Sequence, residues 1–213
     1  MNDKLTQLKK LTDQVYSEAV EFRRGLHMNP ELSEHEENTA AAICARLDAM
    51  GIEYTSGVAG HGISAVIYGQ NPHRGVGIRA DMDALPIAEK TDTPFASQNP
   101  GVMHACGHDI HTAVLLGTAG VLNSIRSSLP GSVRLFFQPA EETIGGAKQM
   151  IDAGCLNEPR IDSVIGLHVD TTVDSGCVEF IPGSMNAAST EFYVTVKGKS
   201  CHGAHPSDGI DAL

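Results

Sequence analysis

Apolar positions in the opening segment fall at helical spacing. Leu5, Leu8, Leu11, Val15, Phe22 and Leu26 stand three, four or seven apart and predict an amphipathic helix with that face turned inward. A second helix is announced by Ser33 with Glu36 three residues on, the pattern of a capping box. It carries Ile43, Leu47 and Met50 inward and stops at Gly51. The pattern then changes. Residues 63–68 and 76–80 are short β-rich runs bounded by Gly, Asn and Pro and are expected as strands. Helical spacing returns over about 107–128 and ends before Pro130-Gly131. Residues 132–138 are expected as a strand stopped by Pro139, 145–154 as a short helix and 161–169 as another strand. Strands alternating with helices in this order predict an α/β fold, a largely parallel sheet flanked by helices.

Past Pro182-Gly183 the texture shifts. Residues 191–197 (E-F-Y-V-T-V-K) alternate, which predicts a strand with one wet face, as in an antiparallel sheet. A domain boundary is therefore expected near Gly183. One domain covers 1–183, and 184–213 would begin a second that is too short to fold alone.

Composition narrows the function. With 41 % hydrophobic and 19 % charged residues, the chain can bury a core. Lys+Arg 15 against Asp+Glu 26 leaves a net charge of −11, the wrong sign for a nucleic-acid partner. No run approaches the ~18 apolar residues of a membrane span. The first ten residues lack the apolar core of a signal peptide, so the cytoplasm is the expected compartment. Five cysteines at scattered positions (44, 106, 155, 177 and 201) do not read as a disulfide framework. Ten histidines is a high count and a first hint of metal chemistry.

Sites in open α/β sheets form at the carboxyl ends of strands. Here three predicted strands run into such residues: Asp81 and Asp83, then Glu141 and Glu142, then His168. The stretch M-H-A-C-G-H-D-I-H (103–111) lies between the first two and precedes a helix. Thiolate, imidazole and carboxylate are the donor set for zinc and similar ions, and Gly107 lets Cys106 and His108 turn toward one point. Adjacent carboxylates at a buried strand end are costly without cations, and one of such a pair can bind metal while the other faces water. Two other readings are open. Cys106 could be a buried small residue with the histidines capping the following helix, and the Glu141-Glu142 pair a solvated turn. Alternatively Cys106 could be a nucleophile with His108, His104 or His168 as its base, although the clustered carboxylates then have no role. The acids around Glu31, Glu34, Glu36 and Glu37 read as a solvated helix start. Cys44, Cys155 and Cys177 read as packing residues, and no Gly-rich phosphate loop is present.

The segments R-R-G-L-H-M-N-P-E-L-S (23–33), G-I-R-A-D-M-D-A-L-P-I (77–87), M-H-A-C-G-H-D-I-H-T-A (103–113), F-F-Q-P-A-E-E (136–142), G-G-A-K-Q-M-I (145–151) and G-L-H-V (166–169) resemble the M20 metallopeptidase clan. More narrowly they are similar to its aminoacylase/amidohydrolase branch, which includes hippurate hydrolase, indole-acetyl-amino-acid hydrolases and N-acetyl-diaminopimelate deacetylase. The resemblance implies a zinc-peptidase-like catalytic domain holding two divalent metal ions, zinc or manganese first, cobalt or nickel as alternatives. It implies hydrolysis of the amide bond of an N-acyl amino acid or similar small amide. Matched position by position, Cys106, His108, Glu142 and His168 would be metal ligands. Glu141 would be the general base, and Asp83 would orient a ligand. The segment 196–206 (V-K-G-K-S-C-H-G-A-H-P) resembles the start of a small α+β lid through which such enzymes form homodimers. Its His202 would reach substrate in the neighbouring subunit, and His205 is displaced from the usual pattern.

Length is the main departure. Members of the family run to nearly twice this size, and after the lid they return to the catalytic domain with one more metal-binding histidine. On that basis the chain is expected to be a fragment of a longer enzyme, or a truncated, inactive metal-binding or dimerising remnant.

Overall fold

The computed structural model describes residues 2–143, 145–185 and 192–212. The chain divides into two compact units, Met1–Asp170 and Thr171–Leu213, so that Gly183 lies inside the second.

The first unit has the α/β architecture the alternation predicts. Helices α1 (Asn2–Met28), α2 (Glu37–Met50) and α3 (His108–Ser124) accompany strands β1 (Glu53–Val58), β2 (Gly62–Ile67), β3 (Arg74–Asp81), β4 (Ser132–Gln138) and β5 (Arg160–Gly166). Helix α4 (Gly146–Asp152) lies between β4 and β5. The five strands form one sheet in the order β1-β2-β4-β3-β5. β3 pairs parallel with both β4 and β5. β2 is antiparallel to β1 and β4, so it is the one strand that runs against the other four.

The core follows from the apolar runs. Ile63, Ala65 and Ile67 of β2, Ala80 of β3, Val133, Leu135 and Phe137 of β4 meet Ile43 and Leu47 of α2 and Leu115, Leu116 and Ala119 of α3. On the opposite face Phe136 packs with Met150 and Cys155. Helix α1 crosses α3 where Gly117 and Gly120 leave room for Val15 and Ala19. No helix among the described residues is long and apolar enough to cross a membrane.

Several local expectations are corrected. Leu5 and Leu8 are exposed rather than turned inward, because α1 meets the body of the unit only through its later turns. The capping box does not form: Glu36 makes no cap bond, and Ser33 Oγ donates instead to Asp83 Oδ2 at 2.7 Å. Glu31 caps α2 from outside, accepting the amides of Asn38 (3.1 Å) and Thr39 (2.8 Å). Glu36 is fully buried rather than solvated. Strand β1 was not expected, and β5 ends at Gly166 as a largely exposed edge strand.

The second unit contains one short 3₁₀ turn, Pro206–Asp208, and a single bridge between Lys199 and Ile210 among its described residues. Glu191 of the expected strand lies outside those residues, and 192–197 form no strand. Alternation alone does not make a strand, because the backbone also needs a hydrogen-bonded neighbour.

Candidate metal centre

Four segments meet at the carboxyl ends of β3, β4 and β5. β3 ends at Asp81, and Asp83 follows two residues later, both buried. β4 leads through Pro139 and Ala140 to Glu141 and Glu142. Ala140 has φ 50°, a left-handed conformation that costs a non-glycine residue about 1–2 kcal/mol. Its backbone is held on both sides: Glu36 Oε1 accepts the Ala140 amide at 2.8 Å, and Ala140 O accepts the Gly145 amide at 3.0 Å.

Cys106, Gly107 and His108 enter from a long loop that has no helix or strand. Gly107 has φ 87°, and a Cβ there would lie 2.4 Å from Val169 Cγ2, so the position requires glycine twice over. His108 opens α3 and is fully buried. His168 follows β5 and is exposed.

The side chains converge. Cys106 Sγ lies 3.3 Å from His168 Nε2. His108 Nε2 lies 3.7 Å from Glu142 Oε1, 4.0 Å from Glu141 Oε2 and 3.6 Å from Asp81 Oδ2. Donor atoms that share one ion at about 2.0–2.3 Å stand roughly 3–4 Å apart. Two of the groups whose donor atoms lie within 4.8 Å of one another are Cys106, His108 and His168, and His108, Glu141 and Glu142. His108 Nε2 and Glu142 Oε1 are both buried without a hydrogen-bond partner. Orphaned buried donors facing one another are expected where an ion completes them.

Asp83 organises this edge. Its Oδ1 faces His108 Nδ1 at 3.2 Å, and its Oδ2 accepts the Glu142 amide at 3.0 Å and the Ser33 hydroxyl. With Nδ1 of His108 donating to Asp83, Nε2 is left free. The electrostatics are those of an acidic cavity. Burial raises the Cys106 thiol, and the neighbouring carboxylates of Glu142, Asp81 and Glu141 push it further, to about 12. Burial likewise raises Glu141, with Asp81 and Glu142 adding to it against the pull of His108 and Arg79. Burial lowers His108, but the Asp83 hydrogen bond and the charges of Asp81, Asp83 and Glu142 outweigh it and the net shift is upward. Arg79 also borders this edge, with Nη1 2.7 Å from Asp81 Oδ2 and Nη2 4.0 Å from Glu141 Oε1. A thiol with a raised pKa is the opposite of an activated nucleophile.

Cys106, His108, Glu141, Glu142, His168 and Asp83 are thus brought together. His202 lies in the second unit, its ring 5.8 Å from that of His205. The sequence reading assigned no site role to Arg79 or His111, and it read Ser33 and Glu36 only as residues of a helix start. His111 sits in the histidine-rich stretch and pairs with Asp81. His104, also in that stretch, is buried with both ring nitrogens unpartnered. Burial lowers its pKa to about 4. It stands beside a separate buried network in which His27 Nδ1 meets Asp109 at 2.7 Å and Nε2 meets Glu89 at 3.2 Å.

A sheet edge that gathers a thiol, imidazoles and paired carboxylates has the donor set of a divalent-metal protein of the α/β class. The chain belongs to Peptidase family M20/M25/M40, which it matches over residues 77–206. It is 44 % identical over 208 residues to the N-acyl-L-amino acid amidohydrolase of Geobacillus stearothermophilus, covering 97 % of this chain and 56 % of that protein. Among solved structures it is similar to a Bacillus subtilis protein described as a dinuclear metal binding peptidase of the M20 family. That match has a TM-score of 0.70 and 43 % identity over 74 % of this chain and 44 % of the other. A structure from methicillin-resistant Staphylococcus aureus matches the whole chain at TM-score 0.79 and 40 % identity, over 56 % of its own length. The chain spans about half the length of the curated relatives it matches.

Proposed function

We propose that this chain is part of a metal-dependent amidohydrolase that cleaves the amide bond of N-acyl amino acids or similar small amides. The observation that carries this reading is the meeting of Cys106, His108, Glu142 and His168, from three separate segments, around buried donors that lack partners. These four would hold two divalent ions, zinc or manganese first. When bound, such ions polarise the amide carbonyl and make water more acidic. Glu141, beside Glu142 and partly open to solvent, accepts the proton of the attacking water at its carboxylate and returns it to the leaving amine nitrogen. Asp83 holds the His108 ring and the Glu142 backbone in place. The relative named as an N-acyl-L-amino acid amidohydrolase supports the substrate class. His202 would contact substrate from a neighbouring copy, with residues 184–213 beginning a lid through which a cytoplasmic homodimer forms.

The test measures bound metal and hydrolysis of aromatic N-acyl glycines, then repeats both with Glu141→Gln. The variant is expected to keep its metal and lose about 10²–10⁴-fold in turnover. Retained turnover would remove Glu141 as the base. A wild-type chain that binds metal and hydrolyses nothing would favour the non-catalytic, metal-binding reading.

A further inference from the structure

Asp81, His108 and His111 form a third cluster of buried donors close enough to share an ion. His111, however, has no lone pair to offer one. Its Nδ1 lies 2.6 Å from Asp81 Oδ1, and the carboxylate accepts, so Nδ1 carries the proton. Its Nε2 accepts the Val169 amide at 3.0 Å, so Nε2 carries none. The two partners together assign the ring to its neutral Nδ1–H tautomer. At 2 % exposure, neither bond can be exchanged for one to solvent.

Val169 is the residue after His168, and it is fastened at three points. Its amide goes to His111, and its carbonyl lies 2.7 Å from His168 Nδ1. Its side chain fills the space above Gly107, between Cys106 and His108. The Nδ1–H of His168 is thereby directed to the backbone, which leaves Nε2 as the nitrogen facing Cys106 Sγ at 3.3 Å. β5 is paired with β3 as far as Gly166, and His168, two residues beyond it, is exposed.

We infer that His111 is a positioning residue: as a neutral link between Asp81 and the Val169 amide, it latches the end of β5 so that His168 Nε2 is held toward Cys106. This rests on the metal reading above and deepens it by adding a residue that touches no ion.

The first test uses the intact, metal-free wild-type chain labelled with ¹⁵N. Long-range ¹H–¹⁵N correlation is expected to show His111 with a protonated Nδ1 and a bare, hydrogen-bonded Nε2. A protonated Nε2 overturns the proposal. The second test titrates Co²⁺, whose thiolate charge-transfer band reports on Cys106. His111→Asn keeps a donor for Asp81 but removes the acceptor for Val169. It should weaken Co²⁺ binding about 10–100-fold and alter the band. His111→Gln places an amide oxygen where Nε2 sits and should stay within about 10-fold of wild type. If His111→Asn binds Co²⁺ like wild type with an unchanged band, the latch is wrong while the metal reading stands. If wild type binds no Co²⁺, the metal reading fails and the latch's role falls with it. Should both variants misfold, the wild-type tautomer still decides.

Discussion

Cys106 Sγ and His168 Nε2 lie 3.3 Å apart although 62 positions separate them along the chain. A cysteine–histidine pair at that distance could be read as a nucleophile and its base. The surroundings argue otherwise, because burial and the carboxylates of Glu142, Asp81 and Glu141 push the thiol up to about 12. A cation placed among the same groups reverses the balance and favours the thiolate as a ligand. The metal-free chain should therefore alkylate slowly at Cys106 near neutral pH, well after the exposed Cys177 and Cys201. Peptide mapping after timed iodoacetamide treatment checks the order. Cys106 reacting first would restore the nucleophile reading.

The three bonds on the Asp83 carboxylate cannot all be kept by an amide. Asp83→Asn retains one accepting oxygen, while His108 Nδ1, the Glu142 amide and the Ser33 hydroxyl all face the original pair. One donor is left without a partner, at a cost of about 1–3 kcal/mol, and the His108 ring loses its orientation. Metal affinity should fall about 10–100-fold. Ser33→Ala removes only one of the three partners and should cost clearly less. Competition titration with a chromophoric chelator separates the two. Equal losses would mean that Asp83 serves the fold and not His108.

Much of this edge was legible because its chemistry follows strands with plain apolar runs. Val133, Leu135 and Phe137 mark β4, and Glu141 and Glu142 come directly after it. What escaped the sequence reading depends on distant contacts. Glu36 looked like any helix-start acid until Ala140, 104 positions away, proved to be its partner. Strand β1, with Gly57 and polar residues at 53, 55 and 56, exists through its pairing with β2 rather than through apolar periodicity. The role of His111 was hidden for the same reason, since its spacing from His108 cannot reveal that its lone pair is committed to Val169.

Gly107 has a sharp structural test. A substituted alanine would keep the left-handed φ of 87° at about 1–2 kcal/mol and press on Val169 Cγ2 from 2.4 Å. Gly107→Ala is expected to destabilise the fold and displace Val169. Adding Val169→Ala removes the clash but not the backbone cost, so the double variant should recover only part of the loss. Chemical denaturation of Gly107→Ala, Val169→Ala and the double variant beside wild type measures this. Full recovery would assign the whole effect to Val169, and no recovery would assign it to the backbone alone.

Glu36 predicts how stability depends on pH. Burial raises its carboxyl above the ordinary 4.5, outweighing the backbone bonds that pull it down, led by the Ala140 amide, while Asp83 adds to the rise. Between 4.5 and the raised value, the folded chain holds a proton at Glu36 that the unfolded chain has released. The contribution of Glu36 to stability is therefore complete below 4.5 and is lost as pH rises through the raised value. Glu36→Gln keeps an oxygen for the Ala140 amide and has no proton to lose. Relative to wild type, it should be close to neutral at pH 4 and become progressively stabilising toward pH 7. Glu36→Ala orphans the amide and should be less stable than Glu36→Gln by about 1–3 kcal/mol at either pH. Urea midpoints at the two pH values, taken with a chelator present, test both variants. A Glu36→Gln effect that did not change with pH would mean that Glu36 binds its proton no more tightly in the folded chain than in the unfolded one.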